Sequence, residues 1–287
     1  MKKLHITLYL FVAVFYHSFA QINVHIDKEE EGTFTYAISD IDSIYIDLNT
    51  LEKIIVFKDA TVESHLLSEI IEMTYSQPSF PPSYQNCGTV GTAVVDVFSA
   101  ATGRTWMDRN LGASRAATSA TDTEAYGDLY QWGRRADGHQ CRDSGITASL
   151  SSSSQPSHGD FIIANNVPFD WRNPQLDFLW QGINGVNNPC PEGYRIPTLN
   201  EIQAERASWD TIDAQGAFES PLKLTRAGGR DRINGPIIDV GNRGYYWTSS
   251  VEQGTAKTSR RLRVDFSSAL LSASARAMGA SVRCIKN

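Results

Sequence analysis

The stretch CPEGYRIPTLNEIQAERASW, residues 190–209, constrains the fold more tightly than any other part of this chain. Pro191 presets φ at the second position of a turn, and Gly193 tolerates the positive φ that such turns need soon after. Tyr194-Arg195-Ile196 then reads as a short extended piece, because Pro197 keeps the residue before it extended. Thr198 and Glu201 have the spacing of a capping box, in which each side chain satisfies a backbone N–H that the first helical turn leaves unpaired. The spacing predicts a helix with Leu199, Ile202 and Trp209 inward and Glu201, Glu205 and Arg206 outward. Cys190, in front of the corner, can tie it to a distant part of the chain. These are the features of a structural staple, and none of them is catalytic.

At its other end the chain opens like a secretory signal. Lys2 and Lys3 precede an apolar run from Leu4 to Tyr16, and Ser18-Phe19-Ala20 is a small-x-small cleavage site. The run is shorter than the roughly 20 residues a membrane span needs, no stop-transfer flank follows, and no cysteine sits at the cleavage site to carry lipid. The expected product is an exported protein with no transmembrane segment once the signal is removed, resident in the periplasm, at the cell surface or outside the cell. The four cysteines all lie beyond the signal, an even number that permits three pairings in an oxidising compartment.

Residues 21–76 read as a small β-module built from an internal repeat. GTFTYAISDIDSIYI (32–46) aligns with ATVESHLLSEIIEMTY (60–75) with one insertion. Phe34 falls on Val62, Ser39 on Ser68, Asp40 on Glu69 and Ile41 on Ile70, and an apolar run precedes each copy. Residues 64–75 also have a spacing that permits a helix, but the repeat favours strand. The acidic cluster Asp27–Glu31 reads as a solvated hairpin tip rather than a calcium site. Residues 77–88, with prolines at 78, 81 and 82, form an extended linker, and residues 89–287 form the larger domain.

Within that domain a hairpin is expected from TAVVDVF (92–98) and RTWM (104–107). Thr121 and Glu124 suggest a second capping box, followed by a helix carrying Tyr126, Leu129, Tyr130 and Gly133 on one face. LRVDF (262–266) alternates as a strand with Leu262, Val264 and Phe266 on one side, and GYYWTSS (244–250) and ASVRCIK (280–286) read as strands too. Residues 136–189 lack periodicity, and so long an irregular region is normally functional or disordered. Trp171 and Trp180 lie in it among polar residues, flanked by Asp170, Arg172, Asn173 and Gln181. Flat rings beside donors and acceptors suit a glycan or protein contact surface, so these six residues are the candidate ligand contacts.

GYRIPTLNEIQAERASW, GRTWMDRNLGAS (103–114), EAYGDLYQWGRR (124–135), GYYWTSS and the ending SVRCIKN (281–287) occur in the order seen in the Fibrobacter succinogenes major paralogous domain, which residues 88–287 resemble. That resemblance implies an α+β, C-type-lectin-like fold with two helices, a mostly antiparallel sheet and a long loop region, distantly similar to formylglycine-generating sulfatase-modifying proteins. It implies further that the last strand returns beside the Cys190 corner, giving a Cys190–Cys284 disulfide with Cys87–Cys141 as the second pair. The DIDSI segment (40–44) is similar to the opening region of many exported Bacteroidetes proteins. The resemblance carries no reaction. The related enzymes use two cysteines close together near the C-terminus, where this chain has Cys284 alone. Calcium-dependent lectins use acidic triplets, where this chain has Gln155-Pro156-Ser157 and Trp247-Thr248-Ser249.

His139, Cys141 and His158 are too irregularly spaced for zinc, and no nucleophile elbow or phosphate-binding glycine loop is present, so no metal, cofactor or catalytic residue is assigned. Charge is uneven: residues 21–76 carry twelve acidic and three basic residues, and residues 221–287 carry twelve basic and four acidic. The basic set includes Arg226, Arg230, Arg232, Arg243, Arg260, Arg261, Arg263, Arg276 and Arg283, which either pair internally or form a face for an anionic glycan or partner protein. Nucleic acid is not an expected partner of an exported chain with net charge −6. The leading expectation is a non-enzymatic binding or adhesion protein of a bacterial surface. The alternatives are a formylglycine-generating-type enzyme or other hydrolase, and a structural subunit of a surface assembly. N-terminal sequencing of the exported protein should begin at Gln21, and a secreted form that retains Met1 would refute the signal reading.

Overall fold

The computed structural model describes residues 23–28, 32–37, 41–47, 52–57, 59–66, 68, 70–76, 79–88, 91–183, 185–252 and 258–287. The expected signal segment and residues 29–31 of the acidic cluster lie outside the described residues. The chain divides into two units, Met1–Ser79 and Phe80–Asn287.

Both copies of the first unit's repeat form strands, because their β-branched and aromatic residues suit a pleated surface. The strands are β1 (Asn23–Lys28), β2 (Gly32–Ala37), β3 (Ile41–Asp47), β4 (Glu52–Phe57), β5 (Val62–Leu66) and β6 (Ile70–Ser76). Within residues 64–75, ambiguous by spacing, positions 64–66 and 70–75 are therefore strand. The copies do not fold side by side. One sheet has the order β2-β1-β6 and the other β3-β4-β5, all antiparallel, so each copy lends its third strand to the other's sheet. Ile41 and Ile70, the isoleucines of the repeated Ser-acid-Ile sequence, each open the strand that enters the opposite sheet. Buried Ile26, Ile41 and Ile55 form the centre, with Phe34, Tyr36, Ile44, Phe57 and Ile70 packed around them. At roughly 2 kcal/mol for each buried isoleucine this is a small core, and neither copy contains it alone.

The second unit has many short strands. They are β7 (Asp96–Ser99), β8 (Arg104–Met107), β9 (Tyr130–Gln131), β10 (Ile146–Thr147), β11 (Phe161–Ile162) and β12 (Tyr194–Arg195). Helices α1 (Leu199–Ala207) and α2 (Ala214–Glu219) follow. The remaining strands are β13 (Gly229–Arg230), β14 (Ile237–Ile238), β15 (Arg243–Val251), β16 (Ser259–Asp265), β17 (Ser268–Ser274), β18 (Gly279–Ala280) and β19 (Ile285–Lys286). Sheets β12-β19-β8-β7, β14-β13-β18-β9 and β15-β16-β17 are antiparallel, and β10 pairs with β11 in parallel. The class is α+β. Among the described residues no helix is long and apolar enough to cross a membrane.

The corner at residues 190–209 forms as its residues dictate. Thr198 caps α1 in a complete capping box with Glu201, whose carboxylate also receives both Arg195 Nη atoms at 2.6 and 2.8 Å. Because β19 lies beside β12, Cys190 and Cys284 meet with Cα atoms 5.9 Å apart and are disulfide-bonded, as are Cys87 and Cys141.

Four expectations need correction. The helix after Thr121 is absent: a single 3-10 turn, Thr123–Ala125, is capped by Asp122 instead, and the chain then extends into β9. Gly127 and Gly133, at φ of +66° and +81°, stop any helix there. Glu205, expected outward, is 1% exposed and accepts a hydrogen bond from Thr102 at 3.3 Å. Phe266, expected with Leu262 and Val264, lies just beyond the end of β16 and is 68% exposed. The linker is shorter than its composition suggests, since Phe80 and Tyr84 pack on the second unit's core and the Gln85 amide donates to the Ala136 carbonyl at 2.8 Å.

Separate peptides spanning residues 21–49 and 50–79 should each lack cooperative structure, because each sheet needs a strand from the other copy. Mixing them should restore β-sheet circular dichroism and a sigmoidal melt. A cooperative transition in either peptide alone would show that the strand exchange is not required.

Candidate functional site

The long region 136–189 does not present the expected aromatic surface. Trp171 is 1% exposed and Trp180 0%. The Trp171 indole donates to the Trp132 carbonyl at 2.7 Å, and Trp180 donates to the Asn187 carbonyl at 3.0 Å. Asp170 and Arg172 are buried with them. Asp170 accepts from Gln175 and from the Arg172 amide, and Arg172 donates to the Pro174 and Ser152 carbonyls. Burial pushes the Asp170 carboxyl up to about 6, with Arg276 opposing the shift. Asn173 and Gln181 are exposed but lack the rings they were to flank. Trp171, Trp180, Asp170 and Arg172 are therefore scaffold, and neither ring offers a contact face. Ile162, Ala164 and Leu179 of the same region, with Ala277 from the C-terminal part, form the apolar cluster that encloses Trp171.

The histidine–cysteine cluster is also dispersed into structure. Cys141 is in a disulfide, and His158 is exposed, 3.6 Å from Asp160. His139 is fully buried between the Asp137 carboxylate, 2.7 Å from Nδ1, and the Gln131 amide, 3.0 Å from Nε2. The amide donor leaves Nδ1 as the protonated nitrogen, and burial holds the ring neutral with a pKa of about 4. Among the described residues no three His, Cys, Asp or Glu side chains converge as a metal site.

Most of the C-terminal arginine excess is internal. Arg230, Arg276 and Arg283 are buried and donate to main-chain carbonyls, among them Gly235, Leu176 and Met107. Arg243, Arg260 and Arg263 face Asp239, Glu252 and Asp265 within 4 Å. Arg226, Arg232 and Arg261 stack on Phe266, Phe169 and Tyr245, their guanidinium centres 3.8, 4.1 and 4.3 Å from the ring centroids.

The site that does form lies where the segments 103–114 and 124–135 meet. Asn110 anchors the junction, its amide donating to the Ala125 and Tyr126 carbonyls while its oxygen accepts from Arg283. The two segments approach so closely that a Cβ on Gly112, at φ +82°, would lie 2.2 Å from the Asp128 carboxyl carbon. Asp128 is thereby pressed into the junction, 4% exposed, and its Oδ2 has no hydrogen-bond partner. Burial raises its pKa to about 7, opposed by Arg142 and reinforced by Asp143.

A groove of about 350 Å³ opens above it, lined also by Ser114, Glu124, Arg142 and Asp143. Arg142 is held on that wall by bonds to the Gly127 and Ala227 carbonyls, at 2.7 and 3.0 Å, and it neighbours the Cys87–Cys141 disulfide. A carboxyl poised near neutrality both donates and accepts hydrogen bonds, and an adjacent guanidinium donates. The pair suits a ligand rich in hydroxyl groups. Ser114 donates to the main-chain carbonyl and to the carboxylate of Glu124, each at 3.2 Å, which fixes its hydroxyl on the groove wall. The sequence held one signal for Asp128, a lone carboxylate between Gly127 and the run Leu129-Tyr130. The helix expected there would have turned it to solvent.

Asp128 binds its proton more tightly folded than unfolded, so the stability this adds is complete below about pH 4 and is lost as pH rises through about 7. Asp128→Asn abolishes the loss, which amounts to at most about 4 kcal/mol. The variant should melt at a higher temperature than wild type at pH 8, with the gap narrowing toward pH 5. An offset that is the same at both pH values would refute the assignment. Comparison of the chain with family models, with curated proteins and with solved structures returns no match.

Proposed function

We propose that the chain is an exported, non-enzymatic binding protein of a bacterial surface, with a C-type-lectin-like second unit of the Fibrobacter succinogenes major paralogous type. The observation that carries the reading is the open groove over Asp128, where a buried carboxyl keeps one oxygen without a partner and Arg142 is fixed beside it. Such a pair, aligned by backbone contacts before any ligand arrives, holds adjacent hydroxyls of a glycan without reacting with them. Export is supported by two disulfides that use all four cysteines. The same pairing leaves no thiol for chemistry of the formylglycine-generating kind.

One observation favours a hydrolase as the second reading. A carboxyl with a pKa near 7 matches a general acid, and Glu124 and Asp143 line the same groove. The two readings separate in one experiment. On a glycan array the mature protein should retain one class of neutral glycan, and Asp128→Ala should weaken that binding about tenfold or more while the melt remains cooperative. Shortened glycans after overnight incubation, absent with Asp128→Ala, would establish the hydrolase instead. Binding that Asp128→Ala leaves unchanged would remove this groove from the function.

A further inference from the structure

A second groove, of about 440 Å³, lies against the β16–β17 hairpin and is lined by Phe169, Arg232, Thr258, Ser274 and Met278 among others. Arg232 on its wall stacks over Phe169 and spends one Nη on the Ala164 carbonyl at 2.8 Å. Arg261 borders it through Met278, towards whose sulfur its Nη1 is directed, and stacks over Tyr245. Neither guanidinium has a carboxylate within 4 Å among the described residues. The acids nearby are occupied elsewhere. Asp231, which also lines the groove, has its carboxylate Oδ1 taken up by the Ile233 and Asn234 amides at 2.7 and 3.1 Å. Asp239 accepts from the Tyr245 hydroxyl at 2.6 Å and pairs with Arg243. The Arg261 Nε is buried without a partner, and burial lowers its pKa to about 10.

These features are those of an incomplete ion pair. A guanidinium laid flat on an aromatic ring keeps its N–H edge free and fixed, the geometry that receives a planar or tetrahedral oxyanion. Of the nine C-terminal arginines named above, six have a carboxylate or several main-chain carbonyls as partners; of the other three, Arg232 lines this groove and Arg261 touches its wall at Met278. We propose that it binds the carboxylate or sulfate groups of an acidic glycan through Arg232 and Arg261. The inference rests on the binding-protein reading, but at a groove separate from that of Asp128, so the two fail independently.

The test uses the full mature protein in calorimetric titrations against heparin as the sulfated probe, polygalacturonate as the carboxylated probe and dextran as the neutral one. Wild type should bind at least one acidic polymer, and which one identifies the oxyanion. Arg232→Gln and Arg261→Gln should each weaken that binding about tenfold or more, while Arg226→Gln, which removes an equal charge from a residue that does not line the groove, should change it less than twofold. Arg232→Lys keeps the charge and should still lose affinity, because it loses the fork. Thermal melts identify any variant that fails to fold, and if Arg261→Gln is one, the Arg232 variants decide. The proposal is overturned if wild type binds neither acidic polymer, if both Arg232 variants bind as wild type, or if Arg226→Gln weakens binding equally. Loss of neutral-glycan binding on Asp128→Ala with no acidic-polymer binding by wild type would leave the first groove standing and remove the second.

Discussion

Buried main-chain carbonyls are the constraint on which the second unit depends. Its strands are mostly two to four residues long, so ladders satisfy only part of the backbone, and an unpaired buried carbonyl costs about as much as a lost hydrogen bond. The unit meets the need with side-chain donors that have no acceptor requirement of their own. Trp132 donates to the Thr248 carbonyl at 2.8 Å and Trp247 donates back to the Tyr130 carbonyl at 2.7 Å, joining β15 to the segment that carries β9. Arg134 reaches the His158 and Asp160 carbonyls, and Arg283 reaches those of Met107 and Leu222. Each of these side chains locks two stretches of chain far apart in sequence.

The same constraint explains the charge distribution. A run of arginines near the C-terminus resembles a basic surface in composition, yet Arg230, Arg276 and Arg283 are buried donors and Arg243, Arg260 and Arg263 face carboxylates. Net charge of a segment therefore describes the surface poorly when guanidinium groups serve as internal hydrogen-bond donors. Among the described residues, the groups that stand out from this pattern include one carboxyl with an unpartnered oxygen at the junction of two glycine-containing segments and the stacked guanidinium groups of Arg232 and Arg261.

The first unit solves a different problem. Each copy of its repeat is too small to bury an apolar face, and exchange of the third strand builds one core from two halves. Both ends of the exchange are written in the repeat as the Ser-acid-Ile corner, but the partner of the strand that follows is not. Pairing within a copy and pairing across copies use the same alternation of residues, and only the packing of Ile26, Ile41 and Ile55 into one centre distinguishes them.

Local chemistry explains what the sequence by itself determined. The turn at Pro191–Gly193, the Thr198–Glu201 cap and the strand character of the repeat rest on interactions within a few residues, which is why they were legible without the rest of the chain. The tertiary structure alone decided the rest. The spacing of Tyr126, Leu129, Tyr130 and Gly133 fits a helix, yet Gly127 and Gly133 at positive φ and the close approach of Leu111 and Gly112 make the segment extended. Trp171 lies between Asp170 and Arg172 in sequence but in an apolar cluster with Ile162, Ala164, Leu179 and Ala277 in space. The burial of Asp128, and with it the candidate site, arises where two segments meet across fifteen intervening residues, because whether a polar group keeps its water depends on what the rest of the chain brings against it.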